Sequence, residues 1–182
     1  MKHKPDINAQ TYDGGNALYF STWNGNVEMM QLLLENNADY EYKQGLCDSF
    51  LEKALPHVAD YISKKSIDYV FDVDAGSSPL HIACFMGRLD VVRCLLDYNA
   101  NINITKEDGT SPLLYACEVG HEDIVCLLLD KGADTQICRL NGASPLTIAT
   151  DNGHTSIVMM LKITQRKKKV KLNSCSFVSG SL

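Results

Sequence analysis

Histidines, cysteines and closely set carboxylates are the side chains from which a catalytic or metal site is built. The chain holds 5 histidines and 7 cysteines among 182 residues. His121-Glu122 begins like the helical zinc motif, in which two histidines four positions apart share a face and the glutamate serves as base. The residue four beyond His121 is Val125, so the second ligand is missing. His81 follows Ser78-Pro79-Leu80, while His121 and His154 directly follow glycines, so a structural duty at a turn accounts for all three. No Cys-x-x-Cys pair occurs and no Cys/His cluster has zinc spacing. The glycines do not follow the G-x-x-x-x-G-K-[ST] pattern that cradles phosphate. Asn103-Ile104-Thr105 is formally a glycosylation sequon, which counts only in a secreted chain. No catalytic residue, cofactor or metal ligand is expected, and no small-molecule substrate.

The cysteines read as small buried hydrophobes in a reducing compartment: Cys84 and Cys117 lie 33 residues apart at equivalent places, and Cys94 and Cys126 fall inside apolar segments. No apolar run reaches the roughly 18 residues of a membrane-spanning helix. The start, MKHKPDINAQ, lacks the apolar core of a signal peptide. The expectation is a cytoplasmic chain, with the nucleus open to it.

Charge is divided along the chain. All 22 acidic residues and eleven of the 17 basic ones lie at or before Asp151, giving that part a formal charge of −11. The six basic residues beyond it are Lys162, Arg166, Lys167, Lys168, Lys169 and Lys171, a charge of +6. An acidic body argues against nucleic acid as ligand, because phosphate binding needs clustered cations. It favours a protein partner with a basic epitope.

The elements that carry these residues are plainest between Asp108 and Asp134. Asp108-Gly109 marks a tight turn, and Ser111-Pro112 opens a helix, with serine as cap and proline at the first position. Leu113, Ala116 and Cys117 give it an apolar face, and Gly120 ends it by tolerating positive φ. A second helix follows, with Ile124, Val125, Leu127, Leu128 and Leu129 as its apolar side, and stops at Gly132. Ser78-Pro79-Leu80-His81 with Gly87 lies 33 residues before this pattern, and Ser144-Pro145-Leu146-Thr147 with Gly153 lies 33 after it. A weaker copy runs from Asp13 to Asp39, where Asn16 is the cap, Gly25 the turn and Asn37 the left-handed stop.

A 33-residue period of one turn, two helices and T-P-L-H chemistry resembles the ankyrin repeat. The resemblance implies an all-α solenoid of about five helix-turn-helix repeats joined by β-hairpin fingers. Residues 1–164 then form the repeat domain, with repeats at about 11–39, 40–72, 73–105, 106–138 and 139–164. The second is degenerate: Leu46, Cys47, Phe50, Leu51, Val58, Tyr61 and Ile62 keep the apolar phase, but the spacing from Gly14 to Gly76 is 62, four short of two periods. Residues 165–182 read as a basic, disordered tail. Asp6-Ile7-Asn8-Ala9 resembles the end of a preceding repeat, so either the first repeat is a cap or the chain starts partway through a longer array.

Such a stack implies binding through its concave side, at finger positions and first-helix inner faces. Mapped onto this sequence these are Trp23, Asn24, Asp74, Ser77, Phe85, Met86, Glu107, Thr110, Glu118, Val119, Leu140, Asn141, Asp151 and Asn152. Trp23, Phe85 and Met86 stand where such faces carry polar or small residues; they are either interface anchors or packing against the neighbouring repeat. Arg166, Lys167, Lys168, Lys169 and Lys171 either close the last helix against its dipole or form a nuclear import signal. The resemblance therefore implies a monomeric, non-catalytic protein-interaction module: an adaptor, scaffold or inhibitor. Two alternatives stay open, a nuclear regulator and a piece of a larger ankyrin-containing protein.

Overall fold

The computed structural model describes residues 6–11, 15–39 and 76–176, with side chains up to residue 169. The described residues form eight helices: α1 (Ala17–Asn24), α2 (Val27–Glu35), α3 (Pro79–Met86), α4 (Leu89–Asp97), α5 (Pro112–Val119), α6 (Glu122–Asp130), α7 (Pro145–Asp151) and α8 (Thr155–Ser176). Odd-numbered helices begin where the sequence places their caps. Asn16 accepts a bond from the Tyr19 N–H at 2.8 Å, and Ser111 from the Leu114 N–H at 3.4 Å. Ser144 and Thr147 exchange bonds in a capping box, at 3.1 Å and 2.8 Å. In α3 the His81 ring replaces the usual acceptor, its Nδ1 taking the Ser78 N–H at 3.1 Å.

α1, α3, α5 and α7 pack in that order into an inner layer, and α2, α4, α6 and α8 into an outer one. The apolar core lies between the layers and between successive pairs, where Leu80, Leu95, Leu113, Ile124, Leu128 and Ile157 are fully or almost fully buried. Among the described residues there are no named strands; the one isolated bridge joins Gln10 to Asn16. A backbone bond recurs in the fingers: Thr11 N–H to Gly15 at 2.7 Å, Lys106 N–H to Thr110 at 3.0 Å and Arg139 N–H to Ala143 at 3.0 Å, the last two closing tight turns. Successive repeats are also tied through their ends. Asn8 Oδ1 accepts from the Asp39 N–H and Asn103 Oδ1 from the Asp134 N–H, both at 2.9 Å and both 31 residues apart.

The degenerate second repeat expected at 40–72 falls outside the described residues. α1 packs on α3 and α2 on α4 in the manner of consecutive repeats, so the first pair meets the third-repeat pair directly. The register agrees: Asn37 and Asn99, 62 residues apart, both hold φ 65 at the end of the outer helix, and Ala38 and Ala100 are both buried after it.

One expectation changes, at the tail. Residues 165–176 are not disordered but continue α8, which runs for 22 residues while α2, α4 and α6 run for 9. No glycine or proline interrupts Thr155–Ser176, and lysine and arginine are good helix formers.

Candidate protein-binding surface

α1, α3 and α5 each end at a glycine in the left-handed region, at φ 70, 72 and 97 for Gly25, Gly87 and Gly120. The turn brings the next repeat's first outer residue back over it. His121 Nε2 lies 3.0 Å from the Phe85 carbonyl and His154 Nε2 lies 3.2 Å from that of Glu118, so each ring donates from Nε2. The fit requires glycine: a Cβ on Gly87 would come within 2.6 Å of the His121 ring, and one on Gly120 within 2.5 Å of His154. His81 Nδ1 sits 2.9 Å from Ser78 Oγ, and since it already accepts the Ser78 N–H, its Nε2 donates to the Thr110 carbonyl at 3.0 Å. These three histidines staple layers. Among the described residues no group of three or more His, Cys, Asp or Glu could hold a metal ion, and no helix is long and apolar enough to cross a membrane.

The structure divides the expected contact set. Trp23 keeps 2% of its surface exposed, Phe85 and Met86 none. Every residue of α3 and of α5 is buried, so the three large side chains are core and not a free interface, which corrects the anchor reading. Phe85 packs edge-on against Tyr115, with ring centroids 5.4 Å apart, and Trp23 lies against Tyr19 at 5.6 Å. Ser77, Thr110, Glu118 and Val119 are buried as well. Asn24, Glu107, Leu140, Asn141, Asp151 and Asn152 are exposed as expected. Asp74 lies outside the described residues.

Glu118 is occupied by a partner that sequence reasoning missed. The Arg139 guanidinium grips its carboxylate with Nη1 at 3.4 Å and Nη2 at 2.5 Å, while Nε donates to Thr110 Oγ1 at 2.8 Å. The same guanidinium stands 5.8 Å from the Tyr115 ring centre, and Lys106 Nζ donates to the Tyr115 hydroxyl at 2.9 Å. Burial pushes the Tyr115 phenol up, so it stays a neutral hydroxyl. Asp108 anchors the finger through the Thr110 N–H at 2.8 Å and Oγ1 at 2.7 Å. Partial burial raises its carboxyl, but these two bonds, with Lys106 and Arg139 nearby, outweigh that and hold it below the usual carboxylate range. One signal was in the sequence: Lys106 and Arg139 are basic residues 33 positions apart, at the same place in successive fingers.

Among the described residues of the expected set, most of the exposed ones lie on the last two repeats. The Leu140 N–H donates to the Asp108 carbonyl at 2.8 Å, locking one finger to the next. The Leu140 side chain is 83% exposed, with Glu107, Asp108 and Asn141 exposed on the same two fingers. Asp151 and Asn152 add exposed polar groups at the end of α7. Arg166, Lys167, Lys168 and Lys169 are exposed along α8, and Lys168 Nζ reaches the Ala133 carbonyl at 3.4 Å. Lys171 lies in α8, beyond the described side chains.

A stack of helix pairs with glycine-pinned turns, joined by short fingers, is the architecture of ankyrin repeats. Sequence comparison agrees: a profile described as ankyrin repeats in three copies matches residues 51–138, and one described as ankyrin repeats in many copies matches residues 1–34. The chain belongs to the ankyrin-repeat family, whose repeats form protein-interaction modules and are typically non-catalytic. A curated relative is the E3 ubiquitin-protein ligase XBAT32 of Arabidopsis thaliana, 31% identical over 98 residues. That match covers 53% of this chain and 19% of the relative.

Proposed function

We propose that the chain is a non-catalytic adaptor, scaffold or inhibitor, acting as a monomer, that binds a protein with a basic epitope through the rim of its last two repeats. Leu140 carries the reading. It is a large apolar side chain, 83% exposed at a finger tip, and its neighbours on the two fingers are acidic or polar. An apolar anchor inside a polar surround is the arrangement of an interface hot spot. The acid groups Glu107, Asp108 and Asp151 would speed encounter with a basic partner, and Leu140 would hold the complex. The ligase activity in the relative's name is not carried over, because the match covers 19% of that protein.

The test is affinity capture with the full chain, followed by binding kinetics on the captured protein at two ionic strengths. Leu140→Ser should speed dissociation. Asp151→Lys should slow association and weaken its salt dependence. If both variants bind as the parent does, the rim is not the site.

A second reading is a nuclear regulator addressed by Arg166, Lys167, Lys168, Lys169 and Lys171; exposure of the first four supports it. A fluorescent fusion that stays cytoplasmic with and without lysine-to-glutamine changes in this cluster would exclude it.

A further inference from the structure

The outer helices share a register, counted from the glycine that precedes each. Six positions beyond Gly25, Gly87, Gly120 and Gly153 stand Gln31, Arg93, Cys126 and Met159, all exposed. Ten positions beyond stand Glu35, Asp97, Asp130 and Ile163, again all exposed. Three repeats therefore carry an acid at the second position and a polar or small residue at the first. The last repeat carries two large aliphatic side chains, Met159 at 59% and Ile163 at 47% exposure. They point away from the stack, since Ile157 and Leu161 on the opposite side of α8 are fully buried. Met159 and Ile163 are spaced i, i+4, so they share one stripe, and Arg166 and Lys167 continue it at i+7 and i+8. α8 contains no acidic residue. Singly exposed apolar residues need no explanation. α2 also exposes an apolar pair, Met29 at 45% and Leu32 at 55%, but Glu28 and Glu35 flank it; the pair on α8 takes the positions that are polar, small or acidic elsewhere and runs into exposed cations.

We propose that this face of α8 docks into a protein groove that is apolar at its floor and acidic at its rim, the chemistry of a calcium-loaded EF-hand lobe. Met159 and Ile163 enter the floor, and Arg166 and Lys167 pair with rim carboxylates. A protein groove suits the stripe better than an anionic membrane does, because the exposed anchors are aliphatic and no tryptophan or phenylalanine lies in α8. This surface is separate from the finger rim, so each can fail without the other. It also differs from the import reading, which depends on the cations and is indifferent to Met159 and Ile163.

The experiment titrates the full chain with calcium-loaded calmodulin as the probe, with and without chelator, and in parallel with vesicles containing about a third phosphatidylserine. Saturable, calcium-dependent binding is expected. Met159→Ser with Ile163→Ser should lower affinity about tenfold or more. Arg166→Gln with Lys167→Gln should lower it by several-fold, most strongly at low salt. Leu140→Ser should leave it unchanged. Both pairs are exposed, and thermal melting of each variant confirms that the stack is intact. No calcium-dependent binding, binding insensitive to either pair, or vesicle binding without calmodulin binding would each overturn the proposal.

Discussion

Arg88 Nη2 donates to the carbonyl of Trp23 at 3.4 Å, 65 residues back along the chain. His121 makes the corresponding bond to Phe85, and His154 to Glu118, at a separation of 36 in both cases. Arg88 also lies over Gly25, as His121 lies over Gly87. The arginine thus does the work of a repeat histidine and couples the first layer to the third repeat.

Removing that coupling should loosen one end of the stack. Arg88→Ala should lower the protection of amides in α1 and α2 by about 1 kcal/mol, the usual net worth of such a bond, and leave α5 to α8 unchanged. Hydrogen exchange resolved by segment reads the result. Equal loss throughout would mean the stack opens as one unit.

The burial of α3 decides between the two readings of Phe85 and Met86 in favour of packing. Phe85→Ala should destabilise by about 3–5 kcal/mol and Met86→Ala by about 2–5, because both leave cavities in a packed interior. Urea unfolding of each variant measures this. Stability like the parent's, combined with lost partner binding, would restore the surface role.

The Arg139–Glu118 pair is enclosed, with side-chain exposures of 18% and 6%. Arg139→Met strands a buried carboxylate and should cost about 2–4 kcal/mol, toward the low end for buried pairs because the guanidinium is partly wet. Arg139→Met with Glu118→Met should recover much of that loss. A double-mutant cycle by denaturant unfolding checks it, and strict additivity would mean no coupling.

Burial pushes the Cys84 thiol up, with Cys117 adding to the effect, and lifts Cys117 to about 12. An unfolded thiol titrates near ~8.5. A raised folded pKa leaves the full contribution below that pH and loses it as pH climbs toward the folded value. Stability should therefore fall above about pH 8.5, by up to ~1.4 kcal/mol per pH unit for each buried thiol. Melting between neutral and alkaline pH tests this, and Cys117→Ala should flatten the decline. In the native state Cys126 and Cys138, both exposed, should alkylate well before Cys84 and Cys117.

Local signals carried most of the fold. Ser78-Pro79, Ser111-Pro112 and Ser144-Pro145 start α3, α5 and α7, and Gly87 and Gly120 end the first two, as their chemistry dictates. Contacts across layers were harder to read. Arg139 and Glu118 are 21 residues apart, and nothing local joins them. For Trp23, Phe85 and Met86 the position in a repeat leaves interface and packing both open, because it does not say what covers a side chain. Asn24, Glu107, Leu140 and Asn141 were legible because polar or tip positions need no such knowledge.

The staples also decide how the molecule bears a load. Arg88, His121 and His154 each hold one layer to the layer before it, and His81 holds its own layer to the next, so tension along the axis passes from junction to junction. A chain pulled from its two ends should shed layers singly, in a sawtooth of force.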